Sequence, residues 1–349
     1  METLLNIYDN PPTITYTSIT YPLSILYGEE KYNKWFYSNY VNITSVIDPY
    51  DSNRVNFLSG DSYGGVEPLV YKKVTLTDEK DVFEQLLSLF NDGWYVFTFL
   101  DFNALGIPPY MVHNILIYGI DFDSRKVQVL CYVNRQFVRA SIEFEIFLEA
   151  YNSQNNNRKA LTRCMKKKDK EIDFSYENYE TQLMDYFRSQ FSYDKISNYY
   201  CNIDKIKTDE DELMEDFIVK SRRDGGYYYG FDCYESLKQY LCLYDNPEYI
   251  DIRPYRLMWE HKKIMKDRFI FFQKEKIYPF DMSYYIDGMD KFAQSTKILF
   301  NLILKAKIKK CISIDYITER IDKIKSEEYI LIKKMISEMH NNNKYVQNT

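Results

Sequence analysis

HNILIYGIDFDSRKVQVLCYVNRQFVRASIEFEIFLEAY, residues 113–151, is the stretch that decides the fold. Alternate residues such as Ile115, Ile117 and Gly119 share one face at the two-residue period of a strand, and polar turn residues divide the stretch. Three strands are predicted, at 113–121, 127–133 and 136–142. The run SIEFEIFLEAY then changes to the period of an amphipathic helix. We therefore predict an antiparallel meander closed by a helix.

The residues before this stretch extend the same unit. Thr77 opens an amphipathic helix with two acidic residues in its first turn, and Gly93 ends it. The apolar run 94–102 is too short for another helix, so we predict a buried strand there. The fold class is therefore α+β, with a first domain of helix and antiparallel sheet at 1–151.

The second half of the chain has a different pattern. Residues 152–172 are polar and basic, without a Gly-rich cradle or an aromatic platform, which favours a solvated linker over an anion site. A mainly helical domain is predicted at 173–340. Its helices are expected at 208–226, 232–244, 252–276 and 290–339. The last segment carries a stripe of isoleucines at helical spacing, which is typical of a bundle packed on itself or on a partner.

Composition excludes several classes of function. The net charge is −6, from 45 basic and 51 acidic residues, so a nucleic-acid partner is not expected. The six cysteines form no CxxC pair, which favours a reducing, cytoplasmic location. No eighteen apolar residues run together, and the first residues do not resemble a signal peptide. We expect neither export nor a membrane span.

Three histidines are the first candidates for chemistry. His113 opens a predicted strand, where a ring can project from the rim of the sheet as a general base. The alternative is that it bonds a nearby backbone carbonyl, and residue type alone favours neither reading. His261 shares a helical face with apolar residues, so a packed core histidine is preferred to a ligand or base. His340 lies in a polar tail. Histidines this far apart predict no metal site, and we expect no cofactor.

The segment that begins at His113 resembles a family of papain-like cysteine-peptidase homologues related to the N-terminal domain of butirosin biosynthesis protein H. In this family a histidine opens a strand that ends in a YGYD-like tetrapeptide, and a hairpin and a helix with an SFEEF-like start follow. Here the corresponding strings are YGID at 118–121 and SIEFEIF at 141–147. The resemblance extends back to WFYSNY at 35–40 and forward to DIRPYRLMWEHKK at 251–263.

The resemblance implies a papain-like fold and a nucleophile at the start of a helix that precedes the histidine. The family places a cysteine there, ahead of an LSIL-type helix, but this sequence has TYTSITYPLSILYG at 15–28, without sulfur. Thr17, Ser18 and Thr20 are the hydroxyls that could occupy the position. A hydroxyl is a much poorer nucleophile than a thiol near neutral pH. Alternatively, Ser18 or Thr20 caps the helix that runs through Pro22 to Tyr27.

Papain-like chemistry also needs a residue that orients the imidazole. The strand paired with the His113 strand offers Asn134 as the candidate, although its role as a turn former between two strands is the stronger reading. Cys131 lies nearest to the family's acidic residue and could not orient an imidazole as well. One position of the triad is therefore present, one is ambiguous and one is missing.

Two functions follow from the resemblance. The first is acyl transfer or hydrolysis on an acyl thioester or amide in bacterial peptide natural-product biosynthesis. The second is a catalytically inactive protein that binds or scaffolds acyl-carrier or peptidyl-carrier proteins. The missing cysteine favours the second function, whereas His113 at the start of a strand favours the first.

Overall fold

The computed structural model describes residues 2–47, 53–58, 67–76, 82–108, 111–134, 136–154, 156–192, 227–244 and 246–346. The chain divides into two compact units. Unit 1 comprises residues 1–33 and 62–172, and unit 2 comprises residues 34–61 and 173–349. The sequence predicted a first domain at 1–151, a linker at 152–172 and a helical domain from 173. That prediction placed residues 34–61 in the first domain, whereas they belong to unit 2.

The described strands are β1 Glu2–Leu4, β2 Ile43–Ile47, β3 Asn53–Phe57, β4 Leu69–Lys73, β5 Tyr95–Asp101, β6 Val112–Asp121, β7 Lys126–Val133, β8 Gln136–Glu143, β9 Arg163–Lys167 and β10 Tyr227–Tyr229. The described helices are α1 Thr17–Leu26, α2 Glu30–Asn39, α3 Val82–Asn91, α4 Phe144–Asn152, α5 Asn156–Lys159, α6 Tyr176–Phe187, α7 Cys233–Cys242, α8 Arg253–Glu275, α9 Ser283–Lys309 and α10 Ile314–Val346. A strand-rich N-terminal region is thus followed by a mainly helical half, and the α+β fold class is confirmed.

The sheet of unit 1 has the order β4-β9-β5-β6-β7-β8 among the described strands, with β1 paired to β6. Strands β5 to β8 form the predicted antiparallel meander, and α4 follows it as expected. Leu100 of β5 lies opposite His113 of β6. The alternation at 113–142 and the short apolar run at 94–102 thus predicted these strands.

Strand β9 corrects the predicted linker. It lies between β4 and β5, and Arg163, Cys164 and Met165 are buried. The lysines that follow, Lys166 and Lys167, are half-buried at the end of the strand. The basic run concealed the strand because long lysine side chains reach solvent from positions whose backbone lies inside a sheet.

Helices cover both faces of this sheet. On one face, α3 and α4 pack on Val96, Ile115, Ile117 and Cys131, which form one buried apolar cluster with the two helices. On the other face, Tyr21 of α1 packs against aromatic rings of β5 and β8, with 6.0 Å between ring centroids in each pair. Because successive strand residues point to opposite faces, neighbours such as 113 and 114 on β6 face different helices.

The start of α1 is capped by neither Ser18 nor Thr20, the two residues proposed from the sequence. The helix begins at Thr17, with Tyr16 as its N-cap residue, and no side chain caps it. Thr20 instead donates from its hydroxyl to the Tyr16 carbonyl, with 2.8 Å between the oxygens. The helix also runs through Pro22, as expected. Pro22 is tolerated because the carbonyl it leaves without an N–H donor is that of Ser18, close to the start of the helix.

Two glycines lie where a residue with a side chain would be disfavoured, one by close contact and one by its backbone conformation. A Cβ on Gly119 would lie 2.6 Å from the Thr3 carbonyl oxygen, because β1 approaches β6 closely at an irregularity of the sheet. Gly93 ends α3 with a φ of 79°, as the sequence predicted. The predicted opening of that helix at Thr77 lies outside the described residues.

Unit 2 combines a small sheet with long helices. Strand β2 lies between β10 and β3, which is why residues 34–61 belong to this unit. Helices α7 and α8 confirm the segments predicted at 232–244 and 252–276, whereas the helix predicted at 208–226 lies outside the described residues. The long predicted segment 290–339 is two helices, α9 and α10, with Lys310 in a left-handed conformation between them.

The isoleucine stripe of α10 faces the core of unit 2, since Ile317, Ile321 and Ile324 are buried there. This agrees with the predicted bundle. Across the described part of the chain, none of the helices combines the length and apolar character needed to cross a membrane.

Candidate functional site

The start of α1 is the position at which the family resemblance implies a nucleophile, and this sequence has no cysteine there. The Thr20 N–H donates to the Tyr16 carbonyl at 2.9 Å as the first ordinary helical bond, and the Ile19 N–H, one of the four donors without a helical partner, shares that acceptor at 3.0 Å. The N–H groups of Thr17 and Ser18 belong to the same first turn. The turn contains no acidic residue. The helix therefore presents the positive end of its dipole with hydroxyl side chains around it.

Asn114 of β6, and not His113, contacts this helix start. Its amide Nδ2 donates to the Thr17 hydroxyl at 2.8 Å. Its main-chain carbonyl accepts a hydrogen bond from the Tyr21 hydroxyl at 2.9 Å. Side chain and backbone of one residue thus attach β6 to α1 at two points.

His113 lies at the end of the sheet with its ring half-buried. Its Nδ1 is 3.0 Å from the Asn114 carbonyl oxygen, and since a carbonyl only accepts, Nδ1 carries the proton. The ring centroid is 5.9 Å from that of Phe102 and 6.0 Å from that of Tyr132. A backbone carbonyl therefore orients the imidazole, as in the alternative to a general base that the sequence offered for His113. In the neutral ring, Nε2 keeps its lone pair.

This arrangement does not activate the Thr17 hydroxyl. A neutral carboxamide takes up no proton at ordinary pH, so Asn114 holds the hydroxyl without making it a better nucleophile. His113 is next to Asn114 on the strand, so alternation places its Cα–Cβ bond on the opposite face of the sheet. Ser18 lies in the same first turn as Thr17, half-buried. The described contacts join Thr17 to Asn114, and they do not join any of these hydroxyls to His113.

The other two triad candidates do not complete a site. Asn134 is exposed in the turn between β7 and β8 with a φ of 50°, a left-handed conformation that suits its role as a turn former. Cys131 is buried in the apolar cluster under α3 and α4. Burial raises the pKa of its thiol to about 11, so the thiol stays protonated and unreactive near neutral pH.

A cleft lies beside the start of α1 in unit 1, with an empty volume of about 320 Å³ including the space open to solvent. The helix contributes Thr17, Ser18 and Pro22, and the sheet contributes Tyr71, Arg163 and Met165. His113 is not among the lining residues. Arg163 is 6% exposed. The cleft therefore combines hydroxyl groups, one buried cation and an apolar wall.

A second polar cluster lies in the core of unit 2, around His261. The His261 ring is fully buried, its Nε2 donates to the Val41 carbonyl at 2.8 Å, and its Nδ1 accepts from the Lys262 ammonium at 3.1 Å. Burial and the Lys262 charge hold the pKa of His261 well below its usual range. His261 is thus the packed core histidine that the sequence favoured, with both nitrogens engaged.

Lys262 and Glu328 form an ion pair, with 2.8 Å between Nζ and Oε1, and both side chains are fully buried. Tyr186 and Tyr234 donate to the two carboxylate oxygens of Glu328 at 2.8 and 2.5 Å. Burial raises the pKa of both tyrosines well above the ordinary value, so both hydroxyls remain donors. Burial lowers the pKa of Lys262, and the Glu328 carboxylate opposes that shift. This cluster is satisfied internally, as a structural network requires.

Sequence reasoning missed Asn114, Arg163 and the pair of Lys262 with Glu328. Alternation could have revealed Asn114, since His113 and its neighbour must point to opposite faces. The apolar Cys164 and Met165 beside Arg163 were a weak signal of a strand within a basic run. The pair in unit 2 left no signal, because its members lie 66 residues apart in the chain.

Within the described residues, no group of three or more His, Cys, Asp or Glu side chains is placed to hold a metal ion. Neither a scan against protein-family models nor a search of curated proteins found a match to this chain.

Proposed function

We propose that this protein is a papain-like homologue of bacterial peptide natural-product pathways that no longer catalyses acyl transfer and binds the acyl or peptidyl group presented by a carrier protein. The observation that carries the proposal is the hydrogen bond from the Asn114 amide to the Thr17 hydroxyl. It occupies the position at which a papain-like enzyme needs a base beside a nucleophile. A hydroxyl held by a neutral amide supports binding and does not support turnover.

The partner in this proposal is an acyl-carrier or peptidyl-carrier protein, without nucleic acid or membrane. The proposal also places the protein in the cytoplasm. In support, the five described cysteines are all free, three of them buried and two exposed. Free thiols at exposed positions are common in proteins of reducing compartments.

The experiment uses the full chain and an acyl carrier protein loaded with a fluorescent acyl-phosphopantetheine arm. Fluorescence anisotropy should detect binding of the loaded carrier, and the unloaded carrier should bind more weakly. Release of the acyl group should equal the rate without protein. If neither carrier form binds, the proposed role is wrong.

Residual catalysis is the second candidate function, because the Nδ1 bond of His113 to a carbonyl leaves Nε2 available as a base. Acyl release above background that disappears in His113→Gln would favour this candidate. Release that persists in His113→Gln would point to a contaminant or to a different base. The same assay therefore separates the two functions.

A further inference from the structure

We propose that the outward face of α9 is a docking surface for an acidic amphipathic helix of a partner protein. This face is formed by the exposed side chains of Lys291, Lys297, Ile298, Lys305, Ile308 and Lys309. The proposal does not rest on the carrier-protein role. Its test uses a free peptide, so either proposal can fail without the other.

The charge of α9 is the first argument. From 291 to 314 the sequence contains six lysines and no acidic residue, although the whole chain has a net charge of −6. Leu299, Ile303 and Ala306 of the same helix are buried, so the helix has a core side and a basic outward side. A local excess of one sign attracts a partner of the opposite sign and orients it during approach.

Acidic side chains beside α9 do not neutralise this face. Asp290 pairs with Lys266 of α8 at 2.9 Å, and Glu248 pairs with Lys310 at 3.4 Å. Within the part of the chain that the structure describes, no ion pair is formed by Lys291, Lys297, Lys305 or Lys309. Their charge is therefore available to a partner.

An aromatic pair holds part of the charge in place. Trp259 of α8 stacks on Phe300 of α9, with 6.1 Å between ring centroids. The ammonium groups of Lys263 and Lys297 lie 5.7 and 5.3 Å from the centroid of the Trp259 ring. Attraction to the indole favours these positions without cancelling the charge. Two ammonium groups at one ring repel each other, so a carboxylate that approaches both is stabilised there.

Apolar side chains lie among the lysines. Ile298 is 48% exposed and Ile308 is 75% exposed. Tyr249, at 69%, lies beside the end of α9, because Lys307 donates to the carbonyls of the residues before and after it. Large apolar side chains exposed to this degree gain from being covered by a partner.

The spacing of these groups indicates the kind of partner. Lys297, Lys305 and Lys309 lie on one rigid helix, about 12 Å and then about 6 Å apart along its axis. A second helix with acidic residues at matching intervals can meet all three, and its apolar side chains can cover the isoleucines. A membrane surface favours a continuous apolar face, and Asn301 and the lysines interrupt this one. The occupant is therefore a protein helix with acidic and apolar residues on one side.

Fluorescence anisotropy with a labelled, alanine-based helical peptide tests the surface. The peptide carries glutamates along one face and leucines beside them, and glutamines replace the glutamates in the control peptide. The full chain should bind the glutamate peptide at least tenfold more tightly than the glutamine peptide. Added salt should reduce this difference, because exposed charge pairs are screened. Equal affinities for the two peptides, or binding of neither, would overturn the proposal.

Lys297→Glu combined with Lys305→Glu should lower the affinity for the glutamate peptide at least tenfold. The matched control is Lys323→Glu combined with Lys333→Glu, which makes the same change of net charge at exposed positions of α10. The control should change the affinity less than twofold. Equal losses in the two double variants would mean that the net charge of the chain, and not this face, attracts the peptide.

Two further variants keep the test decisive if the charge reversal prevents folding. Lys297→Gln combined with Lys305→Gln removes the charges without adding repulsion, and it should lower the peptide affinity at least threefold. Ile308→Ser should also lower the affinity while leaving the melting temperature unchanged, since the side chain is mostly exposed. An unchanged affinity in both folded variants would contradict the surface.

Two other occupants of the face would give different results. Vesicles of phosphatidylcholine and phosphatidylserine should not sediment the chain, and the charge-reversed variant should elute from a size-exclusion column with the unmodified chain. Sedimentation with vesicles that the variant loses would assign the face to a membrane. Self-association that the variant loses would assign it to a second copy. Either result would overturn the proposal.

Discussion

The start of α1 in unit 1 and the His261 cluster in unit 2 both bring polar side chains together, but they use them differently. In unit 2 both nitrogens of His261 are engaged and every charge has a partner. In unit 1 one nitrogen of His113 is engaged, and a hydroxyl is held by an amide. A saturated buried network stabilises a fold, whereas the hydroxyls at the start of α1 line a cleft that is open to solvent.

The largest effect expected from this comparison is in unit 2. Glu328→Gln should lower the free energy of unfolding by about 3–5 kcal/mol, because it leaves the Lys262 ammonium buried without a counter-charge. Chemical denaturation measures this change. The neighbouring Glu327, whose side chain is 57% exposed, is the matched control: Glu327→Gln should cost less than about 0.5 kcal/mol. Similar losses in the two variants would mean that the buried pair has no special role.

The two histidines should differ in what their removal costs. His261→Ala should lower the free energy of unfolding by roughly 2–4 kcal/mol, because it leaves a cavity and an unpaired Val41 carbonyl. His113→Ala should cost about 1 kcal/mol or less, since the ring is half-buried and bonds only a neighbouring carbonyl. Urea denaturation of both variants tests the difference. The reverse order would contradict the assignment of His261 to the core and His113 to the rim.

His261 should also make stability depend on pH. Its pKa is held low in the folded chain, so below about pH 6.5 the unfolded chain binds a proton that the folded chain does not. The free energy of unfolding should therefore fall with decreasing pH, by up to roughly 1.4 kcal/mol per unit from this residue.

Denaturation at pH 7, 6 and 5 measures that slope against His261→Gln, which should lack this contribution. Each protein serves as its own reference at pH 7, so an overall loss of stability in the variant does not affect the comparison. Equal slopes in the two proteins would show that His261 is protonated in the folded state.

Much of unit 1 could be predicted from the sequence. The strands at 113–121, 127–133 and 136–142 could be predicted because period-two alternation reports which side chains share a face. The strand at 94–102 could be predicted because its apolar run is too short for a helix. Strand β9 was missed because its lysines gave the segment the composition of a linker. The small sheet of unit 2 was also missed, since β2 pairs with β10, far along the chain, and local patterns do not report such pairing.

The candidate site was predicted in part. The first turn of α1 was identified from the LSIL string, and Thr17 and Ser18 do lie there. The partner was assigned to His113 because histidine is the residue type expected of a base. The side chain that contacts Thr17 belongs to the next residue, Asn114. A one-residue difference on a strand reverses the face, and residue type alone does not reveal it.

The central claim is that position 114, and not position 113, faces position 17. The test is the rate of iodoacetamide labelling in a background where Cys201, Cys242 and Cys311 are replaced by serine. The three remaining cysteines are buried. Burial raises the pKa of the Cys131 and Cys164 thiols to about 11 and about 12, and that of Cys233 well above the ordinary value, so they should not react.

Thr17→Cys in this background should label at pH 6 no faster than an ordinary thiol. Adding Asn114→His should accelerate labelling at least tenfold, because an imidazolium within about 3 Å of the sulfur stabilises the thiolate. Adding His113→Ala to Thr17→Cys should change the rate less than twofold. Fast labelling of Thr17→Cys alone that His113→Ala abolishes would contradict the account, since it would show that His113 is the base facing α1.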